Sequence, residues 1–229
     1  MLNITSCRQK TVTIPADFIE TTPPKYGSEE WYTLNHSKNE FSVKANIGQL
    51  EINKIDEVIN KEHECKLKLP NGILTGIDRG EWGGSLTFNS TDSTMKPVEI
   101  KSGNIKFIFN YKDNIYFIEG LAHMSLREGT LYELETANDS FIYKKLLDFE
   151  DAPEAFTIYH DKFLIATHEN FYVVKDFKKE LVFKDTFWRS LYPNSIAIID
   201  DKSVFLGIRS GIAKLDLTTK TMKFYKYDK

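Results

Sequence analysis

The feature that most limits how this chain can fold is a turn that recurs. Asn71, Asp113, Asp161 and Asp201 each lie in a short polar stretch between two apolar runs, at spacings of 42, 48 and 40 residues. Around each turn the order is the same: an apolar strand, the turn, a second apolar strand, a loop and a third strand. Residues 66–69, 73–76 and 85–88 form the first such unit, and residues 105–110, 115–118 and 130–134 the second. Residues 155–159, 163–166 and 171–174 form the third, and residues 195–199, 203–206 and 212–215 the fourth. Fourth strands are expected over 97–100, 141–146, 180–183 and 222–227. Short apolar runs bounded by Asn, Asp and Gly read as strands entering tight turns, because those residues tolerate backbone conformations that others avoid.

One twisted sheet cannot bury both of its faces, so each unit must stack on its neighbours. A repeat of this length has the period of a β-propeller blade. The expectation is therefore an all-β chain, a small β-propeller of about five four-stranded blades. A β-sandwich or an irregular barrel built from the same hairpins is the alternative. A single domain over residues 1–229 is expected, with repeat units at 65–102, 103–150, 151–190 and 191–229. A first blade is placed at 31–64, starting with Trp31, Tyr32, Thr33 and Leu34 as a strand and followed by strands near 41–43 and 49–52. Ile55, Val58 and Ile59 have helical spacing, which predicts a short helix over 55–64. In the N-terminal segment, 1–30, residues 11–14 read as a strand that could close the ring, and Thr21-Thr22-Pro23-Pro24 as a breaker.

Residues 201–216 run Asp201, Lys202, an apolar strand, Gly207, Ile208, a short loop, Gly211, Ile212 and a strand ending in Asp216. This resembles the blade repeat of regulator-type propellers, which reads Asp-Gly, strand, Gly-Thr, loop, Gly-Leu and a strand ending in Asp. Residues 71–84 are similar with a longer loop, while Ile118 and Ala166 stand where that pattern has Gly. The resemblance covers about residues 65–229. It implies blade geometry and carries no activity.

The charge balance narrows the function. With 30 basic and 33 acidic residues the formal net charge is −3, so no cationic excess exists to neutralise phosphates, and neither nucleic acid nor an anionic membrane is an expected partner. The first residues lack the basic end and long apolar run of a leader, and no stretch reaches the roughly 18 apolar residues of a membrane helix. Cys7 and Cys65 have neither metal nor redox spacing, which suits free thiols in a reducing cytoplasm. Glu62, His63 and Glu64 beside Cys65 read as a polar helix surface. No phosphate loop, Gly-x-Ser-x-Gly or His-Glu-x-x-His is present. No cofactor and no metal are expected.

In a propeller, the loops between second and third strands share a face with the connections between blades. This gathers Asp78, Arg79, Glu81 and Trp82 from the first unit, and Glu119, His123, Arg127 and Glu128 from the second. His168 and Glu169 come from the third and Arg209 from the fourth. The connections add Asp151, Glu154, Trp188, Arg189 and Tyr192. Mixed charge around aromatic anchors has the composition of a protein interface. The bland reading has Asp78 and Arg79 pairing to cap their loop while Trp82 plugs a gap. The functional expectation is a non-enzymatic intracellular protein-binding module, for example an immunity-type inhibitor of a toxin. The alternatives are a small hydrolase or lyase using the carboxylates Asp78, Glu119 and Glu169, and a carbohydrate-binding propeller stacking sugars on Trp82, Trp188 and Tyr192.

Overall fold

The structure, a computed structural model, describes residues 12–55, 63–137 and 140–229. In chain order it begins with β1 (Phe18–Thr21), α1 (Glu29–Asn35), β2 (Glu40–Asn46) and β3 (Gln49–Ile55). Four strands follow: β4 (His63–Leu69), β5 (Gly72–Asp78), β6 (Gly84–Ser90) and β7 (Val98–Ser102). Then come β8 (Ile105–Tyr111), β9 (Asn114–His123), β10 (Leu126–Ala137) and β11 (Ser140–Asp148). β12 (Pro153–Tyr159), β13 (Lys162–Thr167), β14 (Phe171–Lys175) and β15 (Lys178–Phe183) make the next set. The chain ends with β16 (Ser195–Asp200), β17 (Ser203–Ile208), β18 (Gly211–Asp216) and β19 (Thr221–Tyr227). No helix among the described residues is long and apolar enough to cross a membrane.

The protein is all-β. β4–β7, β8–β11 and β12–β15 are three four-stranded antiparallel sheets whose strands neighbour one another in sequence order. β16–β19 repeat that order with β1 added beyond β19, and β2 and β3 pair as a separate hairpin. The four recurring turns all join the first and second strands of their sheets and occupy two residues each: 70–71, 112–113, 160–161 and 201–202. The left-handed backbone that Asn and Asp favour is used at Lys112 (φ 48), Asp113 (φ 66) and His160 (φ 54). The others are tied differently. Asn71 gives its carbonyl to the Thr91 N–H at 2.9 Å. The Asp200 carboxylate accepts from the Lys202 N–H at 2.9 Å.

The chain forms two compact units, one from the described residues up to 55 together with 194–229, the other from 63–193. In the second unit the sheets stack in series, and β9 shows how. Its alternate side chains serve opposite faces. Phe117 packs with Leu74, Leu86, Phe88, Ile105 and Leu134 of one core. Its neighbours Tyr116 and Ile118 pack with Phe109, Leu131, Phe149, Phe163 and Ile165 of the other. A sheet buried on both faces needs apolar residues at successive positions, which explains the unbroken run Ile115 to Ile118. Each fully buried Phe or Leu here contributes roughly 1.5–3 kcal/mol of transfer free energy. The linker into the third sheet crosses over the paired Gly120 and Gly129. A Cβ on Gly129 would lie 2.2 Å from Pro153 Cδ and 2.4 Å from the Asp151 carbonyl oxygen, so only hydrogen fits.

In the first unit, Phe41 and Val43 of β2 pack on Ala197, Phe205 and Ile212. The Val43 N–H donates to Ser195 Oγ at 2.8 Å.

Several local expectations change. Residues 31–34 belong to a helix, not a strand: Ser28 caps it by accepting from the Trp31 N–H, and Trp31 and Leu34, three apart, form its buried face. The strand expected at 11–14 is absent over the described residues 12–14, and the N-terminal strand that joins the last sheet lies at 18–21, where β1 pairs with β19. Of the helix expected over 55–64, Ile55 ends β3 while His63 and Glu64 begin β4; residues 56–62 lie outside the described residues. Glu62 and Cys7 lie there too. The loop expected over 119–129 is instead a hairpin. β9 and β10 stay paired to His123 and Leu126 around a two-residue turn, so this hairpin extends as an arm.

Candidate functional site

The 160–161 end and the 112–113 end of the second unit coincide, since Tyr111 Oη donates to the Asp161 carbonyl at 3.3 Å. The connections between second and third strands, and those leading into each next sheet, lie at the opposite ends of the strands. There the expected site residues fall into four groups.

The first is a frame. Asp78 is buried and accepts from the Gly80 N–H at 2.8 Å, and Lys106 Nζ reaches its other oxygen. Asp78 thus pairs with Lys106, a lysine of the next sheet. Asn104 completes the frame, its amide donating to the Gly80 carbonyl at 2.8 Å. This leaves Gly80 (φ 59) and Gly83 (φ 77) left-handed around a single 3₁₀ turn, Gly80–Trp82, which glycine alone adopts without strain.

The second is an exposed tip. Trp82 is 80% exposed, so it plugs nothing. Glu81 Oε2 lies 3.3 Å from His123 Nε2 at the end of the arm, and Met124 in the arm's turn is 89% exposed. Leu126, the first residue of β10, is also exposed. Arg79 and Glu128 are at the surface as well. Composition alone flags Trp82. Met124 is not flagged by the sequence, because residues 119–129 read as a loop whose candidates are Glu119, His123, Arg127 and Glu128.

The third is a buried hub. Asp151 is 1% exposed, and its carboxylate accepts from the Ala152 N–H (2.9 Å), the Glu169 N–H (3.1 Å), Asn170 Nδ2 (2.8 Å) and Thr167 Oγ1. Trp188 is fully buried beside it, with Nε1 donating to the Thr167 carbonyl at 3.3 Å. Trp188 is a core residue and offers no face to a sugar.

The fourth surrounds His168 and Glu169. Glu169 bonds Arg127 and lies 3.2 Å from Arg189 Nε. His168 Nδ1 is 3.0 Å from Glu154 Oε1, and its Nε2 is 3.3 Å from Ser190 Oγ. Ser190 was not among the sequence candidates.

Arg209 belongs to the other unit. Its guanidinium holds Glu40 at 2.7 and 3.0 Å and the Asn35 carbonyl at 2.7 Å, tying the β17–β18 turn to β2 and α1. At the turn end of the second unit, a cavity of about 310 Å³ opens among Leu69, Phe88, Val98, Ile115 and Phe141.

The ionisable groups that shift most are structural. Burial pushes the Cys65 thiol up to about 11, and its S–H faces the Ile105 carbonyl at 3.8 Å. Burial likewise raises Tyr172, whose hydroxyl donates to the Phe149 carbonyl, to about 12. His63 is lowered, first by burial and then by the Lys106 charge. Among the described residues no three His, Cys, Asp or Glu side chains gather as metal ligands.

No protein-family model matches the chain, and no curated protein sequence matches it.

Proposed function

We propose that the chain is a protein-binding module whose sheets act as propeller blades, and that it holds one partner against the tip formed by Trp82, Met124 and Leu126. The observation that supports this is the exposure of an indole and a thioether, 80% and 89%, on a glycine-framed turn and a projecting arm. Exposed apolar groups of this size, rimmed by Arg79, Glu81, His123 and Glu128, have the make-up of a hot spot inside a polar rim. Such a surface suits occlusion of an intracellular partner, as an immunity protein occludes a toxin.

The carboxylate hydrolase has less support. Asp78, Glu119 and Glu169 are each neutralised by a cation, Lys106, Lys101 and Arg127 respectively, so none is poised as a free acid or base. The sugar-stacking reading loses Trp188 to the core.

The test is affinity capture from the native organism with the intact chain and with Trp82→Ala and Met124→Ser, each checked for unchanged thermal unfolding. A specific partner should bind the intact chain and lose at least about 2 kcal/mol of affinity on Trp82→Ala. Equal affinity for all three at equal stability would place the partner elsewhere.

A further inference from the structure

We propose that Ser190, His168 and Glu154 form a nucleophilic triad that transfers the acyl group of a carboxylic ester to Ser190 and then to water. This goes beyond the binding reading and does not depend on it.

The three side chains are in series. His168 Nδ1 lies 3.0 Å from Glu154 Oε1, so the proton sits on Nδ1 and is donated to the carboxylate. In the neutral ring that tautomer leaves Nε2 as an acceptor, and Ser190 Oγ is 3.3 Å from it. A hydroxyl on an imidazole whose far nitrogen is oriented by a carboxylate is recognised as a triad by geometry, in whatever chain order it occurs. Glu154 and His168 are each 13% exposed, dry enough to strengthen the pair yet open to a ligand. Glu154 Oε2 is buried with no hydrogen-bond partner among the described residues. That carboxylate is therefore committed to the imidazole.

The loop carrying Ser190 is held rigidly against the His168 turn. The Thr186 N–H and Oγ1 both donate to the Glu169 carbonyl, at 2.8 and 3.0 Å. The Asp185 N–H reaches Asn170 Oδ1 at 3.1 Å, and the Leu191 N–H the Trp188 carbonyl at 2.7 Å. Ser190 itself is left-handed at φ 59, a conformation costly for serine and one that structures retain where a side chain must be aimed. The charged groups on the elements around the pair are Glu154 on β12, Asp151 in the linker before it, and Glu169, which holds Arg127 and Arg189. Arg189 precedes Ser190 and Glu169 follows His168, so the ion pairs of Glu169 with Arg127 and Arg189 fasten the chain on either side of the reacting pair.

In the step, Ser190 Oγ attacks the ester carbonyl carbon as its proton passes to His168 Nε2. Collapse breaks the C–O bond, and the departing alcohol takes that proton, leaving the acyl group on Ser190. Water then adds to the acyl carbon, giving a proton to His168. Release of the carboxylic acid returns that proton to Ser190.

The experiment treats the whole folded chain with a fluorophosphonate probe, maps the adduct by peptide mass spectrometry, and follows p-nitrophenyl acetate hydrolysis in parallel. The expected result is a single adduct on Ser190, lost in Ser190→Ala and unchanged in Ser93→Ala. His168→Gln should slow labelling at least about 100-fold, the usual range for loss of a general base. Glu154→Gln should slow it less than His168→Gln does, and Glu154→Asp should recover part of the rate; a purely structural tie would leave the labelling rate of a folded Glu154→Gln protein unchanged. No adduct on Ser190 in the unmutated chain overturns the proposal, and that readout does not depend on any variant folding. Labelling of Ser190 equally fast in a folded His168→Gln protein overturns it as well, leaving the hydroxyl–imidazole contact as a loop fastening.

Discussion

Replacing Asp151 with Ala should be the most damaging single change at the loop end, and its size can be worked out from the hub. The carboxylate satisfies the Ala152 and Glu169 backbone N–H groups, Asn170 Nδ2 and Thr167 Oγ1. Thr167 Oγ1 has a second acceptor in the Asn170 carbonyl at 3.1 Å, so it can turn away. The other three donors are left without acceptors in a buried site, at about 1–3 kcal/mol each. Water entering the vacated space recovers part of this, so a net loss of about 3–5 kcal/mol is expected. Asp151→Asn keeps the volume and one acceptor oxygen but turns an NH2 towards donors, so about 2 kcal/mol is expected. Urea unfolding followed by far-ultraviolet circular dichroism and tryptophan emission measures both. Trp188 reports directly, being buried and bonded to Thr167. The midpoint should fall in the order wild type, Asn, Ala at constant m-value. A loss below about 1 kcal/mol for Asp151→Ala would refute the view that this carboxylate organises the linker.

Ile47 is 98% exposed and left-handed at φ 48 before Gly48 in the β2–β3 turn, so Ile47→Asn should stabilise by about 1 kcal/mol and raise the calorimetric midpoint. Gly129→Ala should cost several kcal/mol, because its Cβ meets backbone at Asp151 and the Pro153 ring; wild-type stability would mean that the linker does not cross there. Alkali should destabilise the fold. Cys65 is raised from 9.0 to about 11, and Tyr172 and Tyr225 from 10.0 to about 12, all mainly by burial. The unfolded chain therefore loses these protons first. The stabilisation is intact below pH 9 and disappears as pH rises through 11 to 12, and a flat stability profile over that range would contradict the burial. At pH 8, Cys65 should react with a disulfide reagent far more slowly in the folded than in the unfolded chain.

The repeat was legible because turn chemistry and apolar runs are local signals, and strands over 105–111, 162–167 and 203–208 follow them closely. What failed was decided by capping, pairing and stacking that the pattern of apolar runs does not display. Trp31 and Leu34 look like strand residues until the Ser28 cap and the buried stripe are known. Leu121 to Gly129 looks like a loop because small and polar residues interrupt its apolar ones, yet cross-strand pairing continues to His123 and Leu126. Ser190 carries no sequence signal at all. Its partners stand 22 and 36 positions upstream, and only stacking of the 184–194 connection on the β13–β14 turn brings them together.

Compensation separates the carboxylates at these loops. Asp78, Glu119, Glu169 and Glu40 each meet Lys or Arg, so the pairs are ion-pair fastenings. Asp151 meets four neutral donors and is likewise closed. Glu154 is the exception among these half-buried and buried groups. It meets an imidazole, whose charge is conditional, and that imidazole meets a hydroxyl. A permanent cation at position 168 would make Glu154 a fixed ion pair like those of Asp78, Glu119, Glu169 and Glu40. A histidine there leaves a proton free to move between three groups, which a fastening does not need and acyl transfer does. His168→Lys is thus expected to retain or raise thermal stability while abolishing labelling of Ser190. A protein that lost both stability and labelling together would show that the imidazole's shape, and not its proton, is what position 168 supplies.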